Sequence, residues 1–254
     1  RITWIIDSLI SIFLVTHIEK IKQQLKKLSD ENDPIIHFYE TFLAEYNPDL
    51  RKSRGVWYTP QPVVNFIVRA VDDILKTEFN LSEGLADRST ITLDIPVEGK
   101  KKTEQKTFHK VQILDPATGT GTFLAETVKH IHQSKSHFNP QEWSGYVEKD
   151  LVPRLNGFEL LMASYAMAHL KLDLLLSELD FTPSNKNQRF NVYLTNSLDD
   201  FKQKETKDLE VARWLLKEAD GANRIKKHTP VMVVMGNPPY SVSSSNKSDF
   251  IEKL

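Results

Sequence analysis

Val111-Gln-Ile-Leu-Asp115-Pro-Ala-Thr-Gly119-Thr-Gly121-Thr-Phe123 is the stretch from which the fold is read. Val111–Leu114 is short and apolar, as a buried strand is. Two of the chain's nine glycines, Gly119 and Gly121, follow it, and a helical pattern over Phe123–His132 begins at once. Strand, glycine turn and helix in that order open a βαβ unit. At such a turn a ligand can approach the backbone, because glycine presents no side chain. The turn is no P-loop, since no Gly-Lys-Ser/Thr follows. It is no dinucleotide fingerprint either, since Leu124 holds the third glycine position. The reading left is a nucleoside-type site without a diphosphate at the C-terminal edge of a parallel sheet. A plain tight turn is the structural alternative.

Downstream the alternation continues. A helix is expected over Glu142–Val152, a strand over Leu155–Phe158 closed by Glu159, and a helix over Leu161–Leu175. A strand at Phe190–Leu194, a helix at Leu209–Glu218 and a strand at Val231–Met235 follow. Strands alternating with helices predict an α/β fold, a parallel sheet with helices on both faces. An acidic residue at the end of the second strand, Glu159, can accept both hydroxyls of a ribose. Its distance from Gly119 exceeds the usual ~20 residues, and the added helix 142–152 accounts for that.

Upstream, helices are expected over 1–28 and about Ile35–Tyr46. Residues 1–50 are therefore read as an N-terminal helical segment outside the sheet, and 51–254 as the main domain. Thr59 is expected as a helix N-cap with Pro60 as first helical residue. The helix Gln61–Lys76 would present Val63, Val64, Ile67, Val71, Ile74 and Leu75 on one face. Thr90–Val97 and Thr107–Leu114 read as a hairpin around a charged tip, Glu98–Lys106. Lys100, Lys101 and Lys102 in that tip are read as solvated, with a phosphate contact as the functional alternative.

Composition sets outer limits. The chain has 254 residues, 40% hydrophobic and 26% charged, with a net charge of −1. These values argue for a folded globular chain and exclude a uniformly basic nucleic-acid coat. The chain has no cysteine, which excludes disulfides, thiol nucleophiles and cysteine metal sites and fits a reducing, cytoplasmic compartment. Arg1–Ile18 is apolar, but Asp7 interrupts it, so it reads as a buried amphipathic helix rather than a membrane span. His130, His132 and His137 read as a polar helix end; no metal site is expected.

Asn237-Pro-Pro-Tyr240 is the second decisive run, placed after the apolar strand and Gly236. Two prolines remove two N–H donors and stiffen the loop. The Asn237 side-chain oxygen and the Pro238 carbonyl are left as acceptors, and Tyr240 offers a flat ring. Two acceptors and a ring suit a planar –NH₂ group.

The two runs together resemble the amino-methyltransferases that methylate adenine N6 in DNA with S-adenosylmethionine. Gly55-Val-Trp-Tyr-Thr-Pro60 resembles that family's motif X. The resemblance covers about 54–245 and implies a Rossmann-like methyltransferase sheet. The motif order is similar to the gamma arrangement of type IIG and type ISP restriction–modification enzymes. By this resemblance Tyr58, Thr59 and Pro60 lie at the methionine end of the cofactor. Asp115, Ala117, Thr118, Gly119, Gly121, Thr122 and Phe123 line its methionine and ribose, although Phe123, like Trp57, is by itself more often a packing residue. Glu159 takes the ribose hydroxyls. Asn196, with Ser197 beside it, stands where many members read the cofactor's adenine with Asp. Asn237, Pro238, Pro239 and Tyr240 are the catalytic residues. DNA is the implied partner. The chain is expected to be part of a longer protein that holds the remaining strands, a target-recognition region and any nuclease or helicase. A protein glutamine N5-methyltransferase and an inactive cofactor-binding fragment are the competing readings.

Overall fold

The computed structural model describes residues 59–96, 102–184, 189–198 and 210–238, with the backbone alone over 210–213. The helices expected within 1–50, Lys100 and Lys101, Tyr58, Pro239 and Tyr240 lie outside the described residues.

Helix α1 (Gln61–Thr77) begins where the expected helix Gln61–Lys76 does, but its cap falls on Pro60 instead of Thr59. Pro60 takes the cap position with ψ 134° and no side-chain cap. Its carbonyl accepts from the Val63 and Val64 N–H groups at 2.9 and 3.2 Å. Thr59 precedes a proline, which favours extended backbone there. Pro62 sits in the first turn, where a missing N–H costs nothing. The buried face of α1 is Val64, Val68, Asp72 and Leu75; Val63 and Ile74 are exposed. Ile67 and Val71 pack partly buried against the core, so the apolar face of α1 is broad, with Val63 and Ile74 at its exposed edge.

Strands β1 (Thr90–Pro96) and β2 (Thr103–His109) form an antiparallel ribbon, pairing Thr90 with His109 and Pro96 with Thr103. The ribbon is mostly exposed, and its base closes through the Lys110 N–H on the Ser89 carbonyl at 2.9 Å. The strand expected over 107–114 is therefore two elements. Its first residues close the ribbon, and β3 (Ile113–Asp115) enters a separate sheet.

The order of that second sheet is β5-β4-β3-β6, with β4 (Leu155–Glu159), β5 (Asn191–Leu194) and β6 (Val233–Val234) all parallel to their neighbours. Parallel strands need crossovers. These are α2 (Thr122–Ser134) and α3 (Pro140–Tyr146) before β4, α4 (Met162–Glu178) before β5, and α5 (Glu210–His228) before β6. Helix α3 opens on a reciprocal cap: Asn139 accepts from the Glu142 N–H, and Glu142 accepts from the Asn139 N–H, both at 2.9 Å. Beyond Tyr146 the expected regular helix becomes a π turn, Val147–Leu151, and a 3₁₀ turn, Val152–Arg154. Pro153 lies within the second turn and has no N–H for the α pattern. Arg154 is fully buried there, donating to the Asp150 and Asp87 carbonyls and to the Tyr146 hydroxyl.

Alternate strand residues face opposite sides. Ile113, Leu155, Val192 and Val233 join α1, α2, α3 and α4 in one apolar cluster. Phe158 and Tyr193 join Ala222 and Ile225 of α5 in another, with Leu114 packed against it. Helix α5 runs ten residues past its expected end at Glu218, through Gly221. That glycine lets the Tyr193 ring lie against the helix backbone: an added Cβ would stand 2.0 Å from the ring. Two helical layers on a parallel sheet are the α/β architecture expected from the alternation.

Candidate active site

Strand order reverses at β3, which has β4 on one side and β6 on the other. Ligands of open α/β sheets bind at such a switch point, outside the carboxyl ends of the strands. Most of the described residues singled out in the sequence lie there.

The turn after β3 is built by its own backbone. The Thr118 N–H donates to the Phe158 carbonyl at 2.9 Å, and the Gly121 N–H to the Thr118 carbonyl at 2.8 Å. The Thr118 hydroxyl donates to the Asp115 carbonyl at 3.1 Å. Gly119 and Gly121 have φ of +56° and +82°, a region that side chains beyond glycine rarely enter. They do different work. A Cβ on Gly121 would press on Ala168 of α4 at 3.3 Å, whereas one on Gly119 would meet nothing nearer than the Ala117 carbonyl at 4.0 Å. Gly121 serves helix packing; Gly119 faces open space.

Each neighbouring strand end is tied to this turn. From β4, Glu159 Oε2 accepts the Gly119 N–H and Oε1 accepts the Leu161 N–H, both at 2.7 Å. Burial pushes the Glu159 carboxyl above the usual range against hydrogen bonds from the Leu161, Gly119 and Leu160 backbone. After β5, the Ser197 hydroxyl donates to the Pro116 carbonyl, and Asn196 Oδ1 accepts the Leu198 N–H at 3.1 Å. From β6, Gly236 lies against Asp115, where an added Cβ would stand 2.4 Å from Oδ1. Asn237 follows, half-buried, and Pro238 is exposed.

Asp115 is the most enclosed group here. It is 1% exposed. Its Oδ1 accepts the Ala117 N–H at 3.1 Å, while Oδ2 is buried with no hydrogen-bond partner. Burial, with a smaller push from the Glu159 charge, raises its pKa to about 7. A buried acceptor without a donor is costly and fits a ligand that brings an N–H.

The structure thus brings Asp115, Ala117, Thr118, Gly119, Glu159, Asn196, Ser197, Asn237 and Pro238 to one edge of the sheet. Phe123 is not among them. It is 3% exposed and belongs to the apolar core, because the first turn of α2 directs it under the sheet. Thr122 starts that helix, and its hydroxyl faces Lys171 Nζ at 3.4 Å. Thr59 and Pro60 precede α1. The three histidines go separate ways: His130 pairs with Asp72 at 3.0 Å, while His132 and His137 meet the rings of Trp143 and Phe138. Gly157 was not foreseen. An added Cβ there would collide with the Thr118 hydroxyl at 2.5 Å, so it seats the turn on β4. Its place in Leu155–Glu159, one residue before Phe158, was the available signal.

A family model described as N-6 DNA Methylase matches residues 30–253. The chain belongs to the N-6 DNA methylase family. The sheet of this methylase-family chain is accordingly the Rossmann-like one. Three solved structures share the fold. A DrdV–DNA complex aligns at 24% identity and TM-score 0.56, over 84% of this chain and 17% of that one. A nuclease-deletion mutant of the type ISP restriction–modification enzyme LlaGI, in complex with a DNA substrate mimic, aligns at 23% and 0.53, over 86% and 15%. The ATP-dependent type ISP restriction–modification enzyme LlaBIII bound to DNA aligns at 23% and 0.57, over 86% and 13%. The methylase-family chain therefore spans between 13% and 17% of the length of these structures. No curated protein matches it significantly.

Proposed function

We propose that this chain carries the cofactor-binding and catalytic part of a DNA methyltransferase. It would move a methyl group from S-adenosylmethionine to adenine N6, within a restriction–modification enzyme of the gamma motif order. The observation that carries the reading is the meeting of Asp115, Gly119, Glu159, Asn196 and Gly236-Asn237 at the switch point. Family membership and the DNA-bound structures of LlaGI and LlaBIII support DNA as the partner. The small share of each of those structures that this chain covers supports a longer parent chain, in which target-recognition and nuclease or helicase regions would lie.

The residues fit that cofactor. The unpartnered Asp115 Oδ2 suits an ammonium group, and the space over Gly119 admits a ligand against the backbone. Glu159 keeps lone pairs for ribose hydroxyls beyond its two backbone bonds. Thr59 and Pro60, and Tyr58 by the same resemblance, would flank the methionine end. When bound, S-adenosylmethionine supplies an electrophilic methyl group on a sulfonium.

Adenine N6 is a poor nucleophile because its lone pair is delocalised into the ring. Asn237 Oδ1 and the Pro238 carbonyl would accept its two hydrogens and favour a more tetrahedral nitrogen, while Pro239 keeps the loop stiff. Holding that nitrogen in line for attack supplies the proximity contribution. The base has to leave the duplex first, and Tyr240 would stack on it.

The test is Asn237→Ala in the full-length protein. Methyl transfer should fall about 10²–10³-fold, the scale of one preorganised hydrogen bond, while S-adenosylmethionine affinity by calorimetry stays near wild type. An undiminished rate would reduce the motif to a turn.

A further inference from the structure

Helix α5 places a lysine behind the nucleoside side of the site. Lys226, in the last turn of α5, donates to the Asn196 carbonyl at 2.6 Å and to Thr195 Oγ1 at 3.3 Å. Its Nζ also lies 5.3 Å from the centroid of the Phe158 ring. One ammonium therefore braces the end of β4 and the loop after β5 together. The two are already joined by the Thr195 N–H on the Glu159 carbonyl at 2.8 Å. An ammonium suits this place, having three donors, no acceptor and a charge that a ring face attracts. The far end of the same loop is held by Ser197 on the Pro116 carbonyl. Between these two anchors the Asn196 amide is oriented by the Leu198 N–H on its Oδ1 at 3.1 Å. That bond defines which end of the amide is oxygen.

We propose that Lys226 is a positioning residue for cofactor selectivity: by fixing the backbone of residues 195–198 it holds the Asn196 amide oxygen ready for the adenine amino group of the cofactor. The inference rests on the reading of the site as an S-adenosylmethionine site. Lys226 touches the backbone behind the reader rather than the ligand. Its loss should therefore loosen discrimination more than it weakens binding in general.

The experiment measures selectivity. Calorimetry on the full-length protein gives Kd for S-adenosylhomocysteine and for S-inosylhomocysteine, which carries a carbonyl in place of the amino group. Wild type should favour the adenine form. Lys226→Met should lower that preference about tenfold, the scale of one charge-assisted hydrogen bond, through weaker binding of the adenine form alone. Lys226→Arg, which keeps charge and stem, should recover part of it. Thr195→Val tests the same link with the lysine in place and should give a smaller fall. In methylation assays KM for S-adenosylmethionine should rise in Lys226→Met while kcat holds. A preference equal to wild type in Lys226→Met and Thr195→Val overturns the inference and leaves the cofactor reading standing. A wild-type protein that binds neither compound sinks the cofactor reading, and this inference with it.

Discussion

Asp115 shows how a side chain in the candidate site links ligand fit to stability. Its carboxyl has one backbone donor for two oxygens, and enclosure raises its pKa from 3.8 to about 7. Below the unfolded value the group is protonated in both states and costs the fold nothing. Between about 4 and 7 the unfolded chain releases its proton while the folded one keeps it, so stability declines as pH rises through that window. Asp115→Asn carries no charge at any pH. Its urea midpoint should therefore drop less than the wild-type midpoint between about pH 5 and about pH 8. Equal drops would mean that Asp115 does not titrate in the window. At this scale much of the site was legible. Gly119 and Glu159 announce themselves by residue type at a strand end. Lys226 does not, because one lysine among Lys226, Lys227 and His228 at a helix end has no feature that tells which side chain turns toward β5. Gly157 and Gly236 were equally hard to read, since what they accommodate is a side chain distant in sequence.

Element α1 carries a buried acid on its packed face. Burial raises the Asp72 pKa, but hydrogen bonds from His130, Lys76 and the Leu85 N–H outweigh it and bring the carboxyl to about 2. Lys76 Nζ lies 2.6 Å from Oδ2 and the Leu85 N–H 2.7 Å from Oδ1. A depressed acid contributes stability above its unfolded pKa and loses it as pH falls through the folded one. Asp72→Asn keeps an acceptor for Leu85 but gives up the Lys76 ion pair and the carboxylate that faces His130. It should cost about 1–3 kcal/mol at neutral pH in urea denaturation, with the deficit shrinking as pH falls below about 4. Element boundaries followed the same logic of what neighbours demand. Of the expected face of α1, Val64, Ile67, Val71 and Leu75 meet the core while Val63 and Ile74 lie at its exposed edge, because periodicity does not say how far a broad apolar face is covered. Thr103–Thr107 carries no alternation because both faces of the ribbon are wet. Helix α5 was expected to end at Glu218 but continues to His228 through Gly221, a residue that weakens an isolated helix yet here lets the helix rest on Tyr193. The parallel strands were read with the fewest errors, since burial on both faces demands the apolar runs that the eye finds first.

Across the whole molecule, protection should be graded from the sheet centre outward. β4 is buried along its length and paired on both sides, and β3 is likewise flanked by two strands. The ribbon pairs only with itself and is largely exposed. Local opening follows such differences in burial and pairing. Hydrogen exchange read by mass spectrometry should therefore be slowest in peptides covering Leu155–Glu159, and fastest, among the described strands, in β1 and β2. Exchange of the ribbon as slow as that of β4 would contradict this order.

The ribbon enters and leaves the fold at one point, where the Lys110 N–H meets the Ser89 carbonyl. For protein engineering it is consequently a port. A loop whose ends already touch can be lengthened at small entropic expense, so a tetracysteine tag or an inserted reporter domain grafted within it would be carried by the fold without stretching β3. The chain contains no cysteine of its own, so within it a thiol dye attached there would label one address, outside the sheet and at the end where the chain enters β3.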